Sequence, residues 1–81
     1  MKYYLKDHVT DEMLVAVGFY KYRVYEEFLR NVSDDVQIWI PLENVAKYEK
    51  RRLYNNYGEN ALIIPYIQDL LDLNYVEVRN G

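Results

Sequence analysis

Residues 18–29 read GFYKYRVYEEFL, and the fold turns on how that run is divided. From Phe19 to Leu29 rings and charges alternate at period two, the spacing that sends successive side chains to opposite faces of a strand. Aromatic and β-branched residues dominate, so the whole run predicts one strand. On that reading Tyr20, Tyr22 and Val24 share one face, while Phe19, Lys21, Arg23 and Tyr25 share the other. A strand needs one apolar face to join a core, yet here both sides carry rings. The second side is therefore either a further core layer or a surface made for contact.

Working outward, Asn31, Ser33, Asp34 and Asp35 form a polar turn cluster, after which VQIWIPL at 36–42 alternates again. Val36, Ile38, Ile40 and Leu42 point inward, and Gln37, Trp39 and Pro41 outward. The two runs predict an antiparallel hairpin, with Pro41 at a strand end or edge because it has no N–H to donate. Trp39 then joins Phe19, Lys21, Arg23 and Tyr25 as a candidate interaction face, aromatic and basic in the manner of interface hot spots.

The flanks supply the other elements. Residues 2–6, KYYLK, predict a short leading strand. Thr10 predicts a helix N-cap, with Asp11 and Glu12 in the first turn, a Val9–Leu14 staple and Gly18 at the left-handed position past the end. Met13 occupies the place where Glu or Gln would complete a capping box, so none is expected. In ENVAKYEKRRLYNNY, residues 43–57, no clean 3.6-residue stripe emerges, and a loop followed by a strand over about Arg51–Asn56 is preferred to a helix. Ile63, Ile64, Ile67, Leu70 and Leu71 recur at helical spacing, with Pro65 fixing the start near Ile63 or Pro65. Asn74 then takes a left-handed ending, and YVEV returns as a strand. The class predicted is a small α+β domain spanning 1–81, a mainly antiparallel sheet of three or four strands with two helices on one face.

Composition narrows the function. The 81-residue chain is 51% hydrophobic and 28% charged, a globular balance, with ten tyrosines supplying large rings whose hydroxyls require partners or water. Ten Lys and Arg against thirteen Asp and Glu leave a net charge of −3, which gives no general attraction to nucleic acid or anionic membrane. Cysteine is absent, which excludes disulfides, thiolate zinc sites and thiol nucleophiles. With no apolar leader and no run near membrane-spanning length, a cytoplasmic protein is expected. The aliphatic hydroxyls, Thr10 and Ser33, fall at cap and turn positions, and His8 is the one imidazole, so no catalytic residue is assigned and an enzyme is not expected. Asp7, His8, Asp11 and Glu12 gather hard ligands without a recognised metal spacing, and Gly18, Gly58 and Gly81 form no phosphate-binding pattern, so no metal or cofactor is expected. An alternative surface is the basic run Lys47, Lys50, Arg51 and Arg52, interleaved with Tyr48, Tyr54 and Tyr57. That mixture suits single-stranded nucleic acid, through phosphate contact and base stacking.

The segments TDEMLVAVGF and YIQDLLDLNYVEV resemble the helix-then-strand punctuation of small uncharacterised proteins encoded by phages and prophages of low-GC Gram-positive bacteria, and the richness in Tyr, Asn, Lys and Ile agrees. The resemblance implies such a source, with the bacterial host cytoplasm as location, and supplies no site to transfer. Together these observations predict a non-enzymatic protein-interaction module, binding a protein partner or a second copy of itself as a homodimer. Single-stranded nucleic-acid binding through Lys47–Tyr57 is the alternative.

Overall fold

The computed structural model describes residues 1–44, 48–58 and 63–79. Its described elements run β1 (Lys2–Leu5), α1 (Asp11–Ala16), β2 (Tyr20–Tyr22), β3 (Glu27–Asn31), β4 (Gln37–Pro41), β5 (Arg52–Asn55), α2 (Ile64–Asp72) and β6 (Val76–Arg79). All six strands join one antiparallel sheet in the order β2-β3-β4-β5-β1-β6. The α+β class agrees with the sequence reading; the strand count of three or four is too low.

The undercount traces to residues 18–29, which form two strands. The chain reverses over residues 23–26, pairing Tyr22 with Glu27, Lys21 with Phe28 and Tyr20 with Leu29. Glu26 closes the turn in the left-handed region, at φ 52°, with its N–H donating to the Arg23 carbonyl at 3.4 Å. Tight turns ordinarily announce themselves with Gly, Asn, Asp or Pro, and RVYE contains none. The predicted hairpin between this run and VQIWIPL is present as β3 and β4, with Phe28 opposite Ile40 and Leu29 opposite Trp39. Pro41 ends β4, as its missing donor requires.

Both helices are cut to length by local chemistry. Thr10, at φ −98° and ψ 167°, accepts the Met13 N–H on its hydroxyl at 3.3 Å. Contrary to the sequence reading the capping box is reciprocal, because the Met13 sulfur accepts the Thr10 N–H at 3.4 Å in place of a carboxylate or amide oxygen. At the far end Gly18, at φ +96°, lets its own N–H reach the Val15 carbonyl and the Phe19 N–H reach that of Leu14, a paired closure of the last turn. Asn74, at φ 65°, repeats it on α2, with Asn74 N–H to Leu71 and Tyr75 N–H to Leu70. Each helix therefore feeds directly into the strand that follows.

The pairing registers put Phe28, Ile38, Ile40, Leu53, Leu5 and Val76 on one side of the sheet, where they pack with Leu14 of α1 and Ile67 and Leu70 of α2. Ile38, Ile67 and Leu70 are fully out of water, each worth about 1.5–3 kcal/mol of burial. Arg30, on the same side, crosses from β3 to both helices. Its guanidinium donates to the Val17 carbonyl at 3.1 Å, the Tyr66 carbonyl at 2.7 Å and both Asp69 carboxylate oxygens at 2.8 and 2.9 Å. With the helices on this side, the functional question moves to the other.

Candidate interaction face

Strand pairing determines what lies on the helix-free side. Tyr22 lies opposite Glu27 and Glu27 opposite Pro41; Tyr20 lies opposite Leu29, Leu29 opposite Trp39, and Trp39 opposite Tyr54. Directly paired residues share a face. Rings from β2, β4 and β5 are thus brought together on one surface.

The surface has two halves. Over β5, β1 and β6 the rings are dressed by neighbouring side chains. Tyr48 stacks flat on Tyr54, at 3.7 Å between centroids and 7° between planes. The Arg52 guanidinium sits 5.9 Å from the Tyr48 ring and that of Arg79 4.0 Å from the Tyr4 ring. Arg52 and Tyr4 are buried. Burial, reinforced by a hydrogen bond with Glu49, pushes the Tyr4 phenol up from its ordinary value.

Over β2, β3 and β4 the outer layer reaches water at Tyr20, Val24 and Tyr25, while Glu27, Leu29 and Pro41 beneath the rings are buried. Trp39 is half-buried, its ring edge-on to Tyr22 at 5.6 Å and 89° and tilted against Tyr25 at 6.0 Å. Tyr22 and Tyr25 meet at 5.4 Å. Tyr25 folds back over Trp39 from the β2–β3 turn while remaining 58% exposed, next to Val24 at 75%. Beside this cluster Glu27 is only 6% exposed, and its carboxylate accepts the Tyr54 hydroxyl. Burial first, then that hydrogen bond to an anion, pushes the Tyr54 phenol well up, so it stays a donor at any ordinary pH. A shallow concavity of about 640 Å³ opens here, bounded by Tyr25, Glu27, Trp39, Tyr54 and Asn56. Asn56 is a fixed wall, accepting the Gln37 N–H at 2.8 Å and donating to the Asp35 carbonyl at 2.9 Å.

Of the five residues expected on one face, the structure unites Tyr25 and Trp39. Phe19 is buried in the core at 2% exposure. Lys21 lies opposite Phe28 on the helix side, 5.7 Å above its ring and 3.6 Å from the Asp11 carboxylate. Arg23 is exposed in the turn. The physical reason is the turn: across it an even-numbered residue of β2 faces an odd-numbered residue of β3, so Tyr20 and Tyr22, expected on the face opposite Phe19 and Tyr25, are the ones that share Trp39's side. Tyr22 and Tyr25 pack against Trp39 and leave it half-buried. Glu27 and Tyr22 were missed as site residues, and no local signal marks them without the turn.

The basic run is not gathered into one patch. Lys47 lies outside the described residues. Arg51, at φ 69°, turns its guanidinium to the carbonyls of Lys6 and Val9, at 2.7 and 3.2 Å. Arg52 is buried beside Tyr48, and the Tyr54 hydroxyl is committed to Glu27. Lys50 is exposed. Adjacent residues entering a strand point opposite ways, and that separates the two arginines. Elsewhere, Ser33 accepts the Val36 N–H at 3.1 Å and His8 lies edge-on to Tyr75 at 6.1 Å. Among the described residues no group of three or more His, Cys, Asp or Glu is placed to hold a metal ion.

Comparison with protein-family models, curated proteins and solved structures finds no match to this chain.

Proposed function

We propose that this chain is a non-enzymatic protein-interaction module whose working surface is the β2–β3–β4 side of the sheet. The observation that carries the reading is the contiguous ring cluster of Tyr22, Tyr25 and Trp39, partly exposed on the side of the sheet opposite both helices. Exposed apolar patches with aromatic anchors are the usual mark of protein contact surfaces. The rings are also held in place by one another and by the sheet, so little side-chain entropy remains to be lost when a partner docks. The surface serves either self-association or a different protein partner.

Sedimentation across a wide range of concentrations, together with a photocrosslinking residue at position 25 in cells, tests this. Wild type should self-associate or form a discrete adduct, and Trp39→Ala should abolish either while keeping a cooperative thermal transition. A wild type that stays monomeric at every concentration and gives no adduct from position 25 overturns the reading.

A further inference from the structure

We propose that the concavity over Glu27 is a receptor for a cationic side chain, an arginine presented by a partner polypeptide. This rests on the interaction-face reading and names the chemistry of the partner. The starting point is a buried acidic side chain: Glu27 is only 6% exposed, on a strand and facing away from both helices. A buried carboxylate is costly unless it is paired and fully hydrogen-bonded. Tyr54 supplies one hydrogen bond, to Oε1. Among the described residues no Lys or Arg forms an ion pair with Glu27, although the chain forms such pairs at Arg30–Asp69, Lys21–Asp11 and Arg79–Glu77. Glu27 nevertheless borders an open concavity, and a carboxylate that accepts one hydrogen bond keeps further acceptor positions.

The walls agree with a cation. Tyr25 and Trp39 line the same space, and the negative faces of their rings attract a positive charge. Ring spacing then selects among cations. Tyr22, Tyr25 and Trp39 lie 5.4–6.0 Å apart and so touch one another, leaving no central gap for a methylated ammonium to be caged between them. A cation must lie against the outside of the cluster, above Glu27. A planar guanidinium does this best, because it stacks on a ring while donating within its own plane, and it gives up hydration more readily than an ammonium. Tyr54 already donates to Oε1, so Oε2 is the oxygen with more acceptor capacity left for the fork.

Trp39 is the single tryptophan, so its fluorescence reports on the concavity directly. The intact chain is titrated with a capped Gly-Arg-Gly tripeptide and with its Lys and Gln counterparts. The Arg peptide should give a saturable change, the Lys peptide a weaker one and the Gln peptide none. Glu27→Gln, which can still accept from Tyr54, should weaken the Arg peptide about tenfold, as expected for losing a hydrogen bond to a charged group. Tyr54→Phe should preserve the response. An equal response to the Gln peptide, or undiminished binding by Glu27→Gln, overturns the proposal; the peptide comparison on wild type needs no variant to fold. Self-association abolished by Arg23→Gln would identify the arginine as that of a second copy, whereas self-association that survives Arg23→Gln would place it on a different polypeptide. Absence of a cation preference with the position-25 adduct intact removes this inference alone, whereas loss of the adduct and of self-association removes the face itself.

Discussion

At the scale of single residues, Arg30 does the most to join the layers. Its side chain is 11% exposed and satisfies two backbone carbonyls and one carboxylate on two different helices. Truncation strands those acceptors, and because Asp69 is half in water the loss falls below that of a fully buried pair. Arg30→Ala is expected to cost about 2–3 kcal/mol by urea unfolding. Arg30→Lys, a point charge that cannot span the same acceptors, should fall between it and wild type. The hydrogen bond from Arg30 holds the Asp69 carboxyl below its ordinary value, against an opposing effect of burial. A depressed folded-state pKa contributes stability that is present above the unfolded value, about 3.9, and is lost as pH falls through the folded value. Between neutral and strongly acid pH, Arg30→Ala should therefore lose less stability than wild type.

At the scale of elements, the β2–β3 hairpin is the most informative piece, since its turn is built from residues with no turn preference. Left-handed backbone costs an ordinary L-residue roughly 1–2 kcal/mol, and glycine avoids that strain while losing more chain entropy on folding. Glu26→Gly should consequently stabilise the protein by about 0.5 kcal/mol, and Glu26→Val, β-branched at φ 52°, should destabilise it. Thermal melts of the two variants against wild type decide this. A Val variant as stable as wild type would mean that the turn relaxes to another geometry. That outcome matters for the site, because Tyr25 is carried on the same turn. A repositioned turn would lift Tyr25 from Trp39 and change the tryptophan emission.

At the scale of the whole molecule, the sheet is closed by its first strand. β1 lies between β5 and β6, pairing Tyr3 with Leu53 and Val78, and Leu5 with Val76. Strands far apart in the sequence thus pair side by side, and Tyr3, Tyr4 and Leu5 are buried there. Removing residues 1–6 deletes three buried side chains and leaves edge strand β6 without its neighbour. Total stability for a domain of this size is about 4–12 kcal/mol, and each buried side chain is worth about 1.5–3 kcal/mol. The truncated chain is expected to lose its cooperative thermal transition and native near-ultraviolet circular dichroism. A cooperative transition that survives would show that β2-β3-β4-β5 with the helices folds alone.

Local chemistry was legible in the sequence because its partners lie a few residues apart. Thr10 capping α1, Gly18 and Asn74 ending the two helices, Pro65 fixing where α2 begins and the in-out alternation of VQIWIPL all depend on contacts within a turn or on strand pleat. The capping box was the local exception, since a thioether is a weak acceptor and Met13 does not advertise the role. What the sequence could not supply was the side of the sheet on which the residues of GFYKYRVYEEFL fall. That depends on a reversal at RVYE and on the register it imposes, which together send Phe19 into the core and bring Tyr20 and Tyr22 round to Trp39. Glu27 is buried beside Tyr54 by strands distant in sequence, and Arg51, itself left-handed at the mouth of β5, turns its side chain away from that of Arg52. Those outcomes belong to tertiary structure because pairing register is chosen by burial of the whole sheet face, and a shift of one residue exchanges every inside for an outside.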